Sequence, residues 1–180
     1  SILFLPYFIS WIVVAYVVFA LGNYNGIING ILTSHGLAPV EVYKVQVAWP
    51  FIFLIANIWK YTGNGSIIYL ATITGIDREL YEAAAIDGAS KWKQFTRITL
   101  PHLIPVIVLL QILAVGRILG SDFDMFYTLP NGAAIVKDVT YTLDVFVYNM
   151  LKSGSPLGYP AAAAFLQSVV GFILILVTNY

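Results

Sequence analysis

Long apolar stretches separated by short polar segments dominate the chain. A helix needs about 20 apolar residues to cross the hydrocarbon core of a bilayer, which is roughly 30 Å thick. Three stretches meet this requirement, and they cover residues 2–21, 101–119 and 159–180. The prolines of the second stretch lie near its start. Proline is tolerated there, because the first backbone N–H groups of a helix have no helical partner. Each stretch is predicted to form a transmembrane helix.

A fourth apolar stretch, residues 45–76, is interrupted by the polar segment KYTGNG at 60–65. One continuous helix of that length would measure about 48 Å at 1.5 Å per residue, more than an upright crossing needs. The pattern predicts one tilted helix, broken or kinked near 60–65, and two half-spans that meet within the membrane are the alternative. Lys60, Tyr61 and Asn64 would then lie near mid-membrane, where polar groups usually face protein or a water-filled cavity.

The distribution of basic residues predicts the orientation of these spans. Segment 77–99 contains four of the nine basic residues, whereas segment 22–42 contains none. The positive-inside rule therefore places 77–99 in the cytoplasm and places 22–42 and 120–158 outside. The predicted fold class is all-α, a polytopic transmembrane helix bundle that forms a single domain over residues 1–180. Because no charged leader precedes the first span, we expect an internal part of a longer membrane protein.

Composition supports the membrane class. The chain is 59% hydrophobic and 10% charged, against about 25% charged residues in soluble domains. Its net charge of zero gives no reason to expect a nucleic-acid partner, and the absence of cysteine excludes disulfides and thiolate metal sites. The two histidines, His35 and His102, are isolated, and no G-x-x-x-x-G-K-[ST] motif for ATP hydrolysis occurs. We therefore expect neither a catalytic site nor a metal or other cofactor.

The most charged window of the chain is the cytoplasmic segment 77–99. Asp77 is placed to cap a short helix from Arg78 to about residue 87, and Gly88 is placed to end it. The alanines make this helix thin, so that it suits insertion into a groove on another protein. A solvated connector of mixed charge is the alternative, and the residue pattern alone leaves the two readings open.

The order of residues in this window resembles a known signature. EAA at 82–84 is followed by Gly88, nine further residues and ITLP at 98–101. This arrangement is similar to the EAA motif of permease subunits of binding-protein-dependent ATP-binding-cassette (ABC) importers of type I, the MetI-like class. LFLPYFISWIVVAYVVFAL, GIINGIL and FLQSVVGFILIL resemble the carbohydrate branch, in particular permeases for oligosaccharides or polysaccharide fragments. Members of that family carry two more N-terminal helices and a C-terminal tail, so the chain is expected to be a fragment.

The resemblance implies a coupling function for the cytoplasmic helix. In the family this helix docks in a cleft of the cytoplasmic ATPase, its glutamate contacts a basic residue there, and its glycine permits the turn that follows. Carried onto this sequence, the coupling residues are Glu82, Ala83, Ala84, Asp87 and Gly88. The implied partners are an ATPase dimer, a second permease subunit that is a paralogue, an extracytoplasmic sugar-binding protein and the lipid bilayer. The implied location is the bacterial inner membrane, crossed several times.

A sugar pathway should combine aromatic rings for C–H faces with a few amides or carboxylates for hydroxyl groups. NIW at 57–59 and SDFDMFYTLPNG at 121–132 are similar in position to sugar-site elements of maltose-type permeases. The candidate pathway residues are Asn57, Trp59, Tyr61, Asn64, Ser121 and Asp122.

Structural roles compete with the pathway assignment. Asn57 and Gln111 would equally serve to hold helices together, and Trp49 and Trp59 would serve as interfacial anchors. Asp122 and Asp124 would be solvated loop acids, and Lys60 would snorkel or pair with one of them.

The resemblance thus implies the membrane-spanning subunit of an ATP-driven oligosaccharide importer, and alternating access is the mechanism we expect. One alternative is an ion-coupled secondary transporter that uses Lys60, Asp122 or Asp124. The other alternative is a structural membrane subunit without a pathway.

Overall fold

The computed structural model describes residues 2–179, without the side chain of Ile2, and its regular secondary structure is helical. Eleven α-helices follow one another in the described part: α1 (Leu5–Phe8), α2 (Trp11–Gly22), α3 (Ile27–Ser34), α4 (Trp49–Thr74), α5 (Arg78–Ile86), α6 (Lys91–Gln94), α7 (Leu100–Gly116), α8 (Phe123–Thr128), α9 (Lys137–Thr140), α10 (Leu143–Lys152) and α11 (Gly158–Thr178). A π-helical turn, Phe95–Thr99, joins α6 to α7. No strand occurs within residues 2–179, so the predicted all-α class is confirmed.

Three helical stretches are long and apolar enough to cross a membrane, namely Trp11–Ser34, Lys91–Gly116 and Gly158–Thr178. The last two contain most of the predicted spans 101–119 and 159–180. The second stretch begins ten residues before Pro101, because Ser90 accepts a hydrogen bond from the Lys93 N–H (3.3 Å) and starts a helix in the predicted cytoplasmic segment. It ends at Gly116 rather than at residue 119.

The first predicted span, residues 2–21, is not one helix. Helix α1 ends at Phe8, and α2 starts at Trp11 after Ser10, whose backbone is extended (φ −67°, ψ 151°). The Ser10 hydroxyl accepts a hydrogen bond from the Val13 N–H at 3.4 Å, as an N-cap does. The break leaves carbonyl groups of the α1 end without helical partners, and the ammonium group of Lys60 supplies the missing donor. The apolar pattern alone did not reveal this compensation.

Helix α4 runs unbroken for 26 residues from Trp49 to Thr74, where the sequence predicted a break near 60–65 or two half-spans. Gly63, read as a kink signal, instead allows a close approach between two segments. A Cβ on Gly63 would collide with the carbonyl oxygen of Leu3, which lies directly against α4. Helix α4 is long enough to cross a membrane, but polar residues at its centre lower its mean hydropathy. It is therefore not one of the three candidate membrane spans named above.

The buried core joins α2, α4 and the segment around α8. Trp49, Leu129 and Val136 are completely buried, and Trp11 and Phe53 are nearly so. Elsewhere the helices pack closely but leave large apolar surfaces uncovered. Helices α7 and α11 meet at two glycines, and a Cβ on Gly171 would touch the backbone of Gly116. Small residues at such crossings are typical of helices that pack in a membrane.

Candidate functional site

The predicted cytoplasmic helix is present as α5, and both of its ends are capped as expected. The Asp77 side chain accepts a hydrogen bond from the Glu79 N–H at 3.0 Å. At the other end Gly88 adopts a left-handed backbone (φ +72°), and the Ala89 N–H donates to the Ala84 carbonyl at 2.9 Å. This pattern of hydrogen bonds closes a helix through a glycine. The segment is therefore a defined short helix.

One side of α5 is attached to the body of the protein. The hydroxyl groups of Tyr81 and Thr99 are 2.8 Å apart. Thr99 is buried and directly precedes α7. Ile76, just before the helix, is buried too. The buried Gln94 donates to the Ala89 carbonyl at 3.2 Å and fixes the turn after Gly88. These contacts attach α5 and the turn after it to the helical stretch Lys91–Gly116.

The opposite side of α5 is free in the chain. Glu82, Ala83, Asp87 and Gly88 are exposed, and Ala84 is half-buried. Sequence reasoning did not name Ile86 as a site residue, although it lies one turn beyond Glu82 and is 87% exposed. Ile86 therefore lies on the same exposed side of α5 as Glu82. Its position four residues after Glu82 was the available signal.

The second group of candidate residues meets at Asp122. One carboxylate oxygen of Asp122 accepts hydrogen bonds from the Trp11 indole N–H (2.8 Å) and from the Tyr61 hydroxyl (2.5 Å). The other oxygen accepts from the Met125 N–H at 3.4 Å and caps α8. Asp122 therefore connects α2, α4 and α8, and we call these three side chains the Asp122 cluster. Sequence reasoning missed Trp11, although a buried indole N–H requires an acceptor.

The remaining candidates on α4 fall on two faces. Asn57, Tyr61 and Asn64 have spacings of four and three residues, so they share one face, and all three are half-buried. Trp59 is rotated by about 200° from Asn57 at 100° per residue, and it is 47% exposed. The structure thus groups the two asparagines with Tyr61 and separates Trp59 from them.

Ser121 belongs to a different polar group from its neighbour Asp122. Its backbone N–H and its hydroxyl both donate to one carboxylate oxygen of Asp144, each at 2.6 Å. Gln167 of α11 donates to the other oxygen at 3.1 Å. Burial raises the pKa of Asp144, but the hydrogen bonds from Ser121 and Gln167 outweigh burial and hold that pKa below its usual value. Asp144 carried no distinguishing signal in the sequence.

Lys60 is buried and has neither of its predicted partners. Its ammonium group donates to the carbonyl groups of Tyr7 (3.3 Å) and Ile9, and it lies 5.1 Å from the centre of the Trp11 ring. It does not snorkel, and it is not paired with Asp122 or Asp124. Among residues 2–179 the one ion pair joins Lys44 to Glu41 at 2.7 Å. The same residues contain no cluster of three or more metal-ligating side chains.

These features are those of a multi-pass helical membrane protein with an exposed, capped helix between two membrane segments. The model of the family described as "Binding-protein-dependent transport system inner membrane component" matches residues 1–180. The chain belongs to this family, and the resemblance inferred from the EAA signature is confirmed.

Curated relatives include permeases for several sugars. The chain is 34% identical to the polygalacturonan/rhamnogalacturonan transport system permease protein YteP of Bacillus subtilis, over 99% of this chain and 56% of that protein. It is 32% identical to the trehalose/maltose transport system permease protein MalF of Thermococcus litoralis, over 98% of this chain and 57% of that protein. The chain thus spans just over half the length of these relatives.

A solved structure shares the fold. The crystal structure of a bacterial ABC transporter involved in the import of the acidic polysaccharide alginate contains a chain with a TM-score of 0.88 and 32% identity. The match covers 99% of this chain and 62% of that chain. The predicted fold class, a type I ABC importer permease, is thereby confirmed.

Proposed function

We propose that the chain is part of the membrane-spanning subunit of an ATP-driven oligosaccharide importer. Membership of the family and the sugar-transport names of the relatives support this proposal. The observation that carries it is α5, a capped helix attached to the body through Tyr81 and exposed at Glu82 and Ile86. An ion-coupled secondary transporter does not require a docking helix for an ATPase.

In this proposal α5 couples the membrane helices to a dimer of cytoplasmic ATPase subunits. Glu82 pairs with a basic residue of the ATPase, and Ile86 fills an apolar pocket beside it. The small side chains of Ala83 and Ala84 let the helix enter a groove, and Asp87 and Gly88 form its end. The Tyr81–Thr99 hydrogen bond connects α5 to the residue that precedes α7. Closure of the ATPase dimer therefore moves α7 together with α5.

The pathway in this proposal runs along the polar face of α4 and past the Asp122 cluster. Asn57 and Asn64 offer amide groups to sugar hydroxyls, and Tyr61 offers a ring and a hydroxyl. Asp122 holds Tyr61 in place on the outer side, with Ser121 next to it in the chain. Trp59 points away from this face and contacts the bilayer or a second permease subunit, which we propose to be a paralogue.

The remaining partner is an extracytoplasmic sugar-binding protein. The bacterial alginate ABC transporter has been crystallised in complex with a periplasmic protein bound to an alginate pentasaccharide, and it shares this fold with a TM-score of 0.87. By analogy, the segments 22–42 and 120–158 would receive such a protein on the outer side of the inner membrane.

The ion-coupled alternative requires an ionisable group that is free to change partners. Lys60 donates to backbone carbonyls and Asp122 accepts from Trp11 and Tyr61, so both are held by partners within the chain. Asp124 is exposed, so none of the three is both buried and free to change partners. This pattern favours the ATP-driven importer.

Reconstitution of the full-length subunit with its partners in proteoliposomes tests the proposal. We expect uptake of a labelled oligosaccharide only when ATP and the ATPase are both present. Uptake driven by a proton or sodium gradient without ATP would contradict the proposal and support the ion-coupled alternative.

A further inference from the structure

An open cleft of about 810 Å³ lies between α2 and the segment from α8 to α10. One wall consists of Ile12, Ala15, Tyr16 and Phe19, which follow one another at helical spacing on α2. The opposite wall is formed by α8, the turn at 130–134, α9 and α10. The volume falls within the range of about 300–1,000 Å³ that is usual for sites of small organic ligands. By the predicted orientation the cleft opens to the outer side.

The lining of this cleft suits a sugar. It combines five aromatic rings with two amide side chains, and these are Tyr16, Phe19, Phe126, Tyr127, Tyr141, Asn131 and Asn149. Aromatic faces pack against apolar C–H faces, while amides serve hydroxyl groups. Asn149 donates a hydrogen bond to the Tyr141 hydroxyl at 3.3 Å, which fixes the two side chains relative to each other.

Local backbone geometry presents one of these amides to the cleft. Asn131 and Gly132 both have positive φ values, 49° and 72°. Two consecutive residues of this kind form a tight reversal, which is closed by the Ala133 N–H donating to the Pro130 carbonyl at 2.9 Å. The Asn-Gly pair is the sequence typical of this turn, so the position of Asn131 is encoded locally.

The charge of the cleft is positive. Lys137 is the one ionised side chain among the residues that line it, and no carboxylate faces the cleft. The ammonium group lies 4.6 Å from the centre of the Tyr141 ring. Within the part of the chain that the structure describes, the ion pair found is Lys44–Glu41, so Lys137 has no acidic partner. Lys137 is exposed, and a cation beside an aromatic ring without a paired acid favours an anionic ligand.

The cleft lies beside the candidate pathway. Ile12 follows Trp11 in the chain, and Phe126 lies one turn beyond Asp122 on α8. Neighbours of two members of the Asp122 cluster thus line the cleft, although the cluster itself does not.

On these grounds we propose that the cleft is an outer sugar subsite that binds a unit bearing a carboxylate, with Lys137 as the carboxylate ligand. The substrate class would then be an acidic oligosaccharide. This inference rests on the proposed function and extends it, because the named relatives of the chain transport both acidic and neutral sugars.

Binding to the purified full-length permease complex tests the subsite, with tetragalacturonate as the acidic probe and maltotetraose as the neutral one. We expect Lys137→Met to weaken binding of tetragalacturonate about tenfold, the effect of one charge-assisted hydrogen bond of about 1.4 kcal/mol. Lys137→Arg keeps the charge and should weaken binding less than Lys137→Met does. Lys152→Met removes an exposed outer lysine that does not line the cleft, and it should change nothing.

Three results would overturn the subsite. They are equal affinity of the wild type for both probes, no detectable binding of tetragalacturonate, and equal effects of Lys137→Met and Lys152→Met. ATP-dependent uptake is measured in parallel, so that the two proposals fail separately. Uptake of maltotetraose without binding of tetragalacturonate would refute the subsite and leave the importer intact. Gradient-driven uptake of either probe without ATP would refute the importer, while the binding titration still decides the subsite.

Discussion

Helix α5 and the Asp122 cluster are both rich in polar side chains, but these side chains find their partners in different places. In the Asp122 cluster every polar group is matched within the chain, since Trp11 and Tyr61 donate to Asp122. On α5 the backbone ends are matched by caps, yet Glu82 and its neighbours remain exposed. Polar groups that are hydrogen-bonded within the chain hold the helices in position. Polar groups that are exposed without such a partner are available to bind another molecule. The predictions below test this difference.

The largest effect is expected on α5. Glu82→Lys should lower ATP-dependent uptake about 30-fold or more, because disrupting a docked charge pair costs about 2–5 kcal/mol. Thermal stability of the isolated subunit should not change, since the Glu82 side chain is exposed. Glu82→Gln should have a smaller effect, and the charge reversal Asp124→Lys in the outer segment should leave ATPase binding unchanged. Normal uptake by Glu82→Lys would remove Glu82 from the coupling surface.

The next largest effect concerns Lys60, whose ammonium group is the donor for carbonyls at the break between α1 and α2. Lys60→Met should destabilise the subunit by about 3 kcal/mol, because each buried acceptor left without a donor costs about 1–3 kcal/mol. Lys60→Arg keeps a donor and should lose less. The measurement is the thermal unfolding midpoint in detergent, with Lys152→Met as the exposed control. A midpoint equal to that of the control would show that water replaces the lysine.

A moderate effect is expected at Asp122. Asp122→Ala removes the acceptor of both Trp11 and Tyr61 and should cost about 2 kcal/mol, whereas Asp122→Asn keeps an oxygen and should cost about half as much. A double-mutant cycle of Asp122→Ala with Tyr61→Phe should show coupling of about 0.5–3 kcal/mol. Additive effects of the two substitutions on unfolding would mean that the hydrogen bond does not link α4 to α8.

A smaller effect is expected at the end of α5. Gly88 has a left-handed backbone, so Gly88→Ala should destabilise the helix end by about 1–2 kcal/mol and reduce uptake severalfold. Gly75→Ala is the matched control, because the φ of Gly75 is −79°, which alanine adopts readily. Equal hydrogen-exchange rates in α5 for the two variants would contradict a role of Gly88 as the cap.

The smallest effect concerns pH and Asp144. Hydrogen bonds from Ser121 and Gln167 hold its folded pKa below the usual value, so Asp144 contributes stability above the ordinary aspartate pKa of about 3.9. That contribution is lost as the pH falls through the lowered folded pKa. Ser121→Ala removes one of the donors and should reduce the change in unfolding midpoint between neutral and acidic pH. An unchanged pH profile in Ser121→Ala would show that this contact does not stabilise the folded charge.

The sequence predicted α5 better than it predicted the rest of the fold, and the reason is physical. Capping by Asp77 and Gly88 depends on residues within the helix or next to it, so the helix limits follow from local order. The contact of Trp11 with Asp122 spans 111 positions along the chain, and no local pattern encodes it. Tyr61 and Asp122 were predicted as pathway residues, but their direct contact was not.

The two errors in the membrane helices have a similar origin. A single serine in an apolar run gave little sign of the break before Trp11, because the compensating donor, Lys60, lies on another helix. Gly63 is compatible with a kink and with close packing, and its contact with the backbone of Leu3 is visible only in the folded chain. Such features depend on tertiary contacts and are therefore not readable from residue order.

The most direct test of the account is whether the exposed face of α5 becomes covered when the ATPase binds. The 180 residues contain no cysteine, so Ile86→Cys introduces a unique thiol into this part of the protein. We predict that maleimide labels it rapidly in the isolated subunit, about tenfold more slowly after the ATPase is added, and that Lys152→Cys is unaffected. Equal labelling of Ile86→Cys with and without the ATPase would contradict the central claim that this helix is the coupling surface.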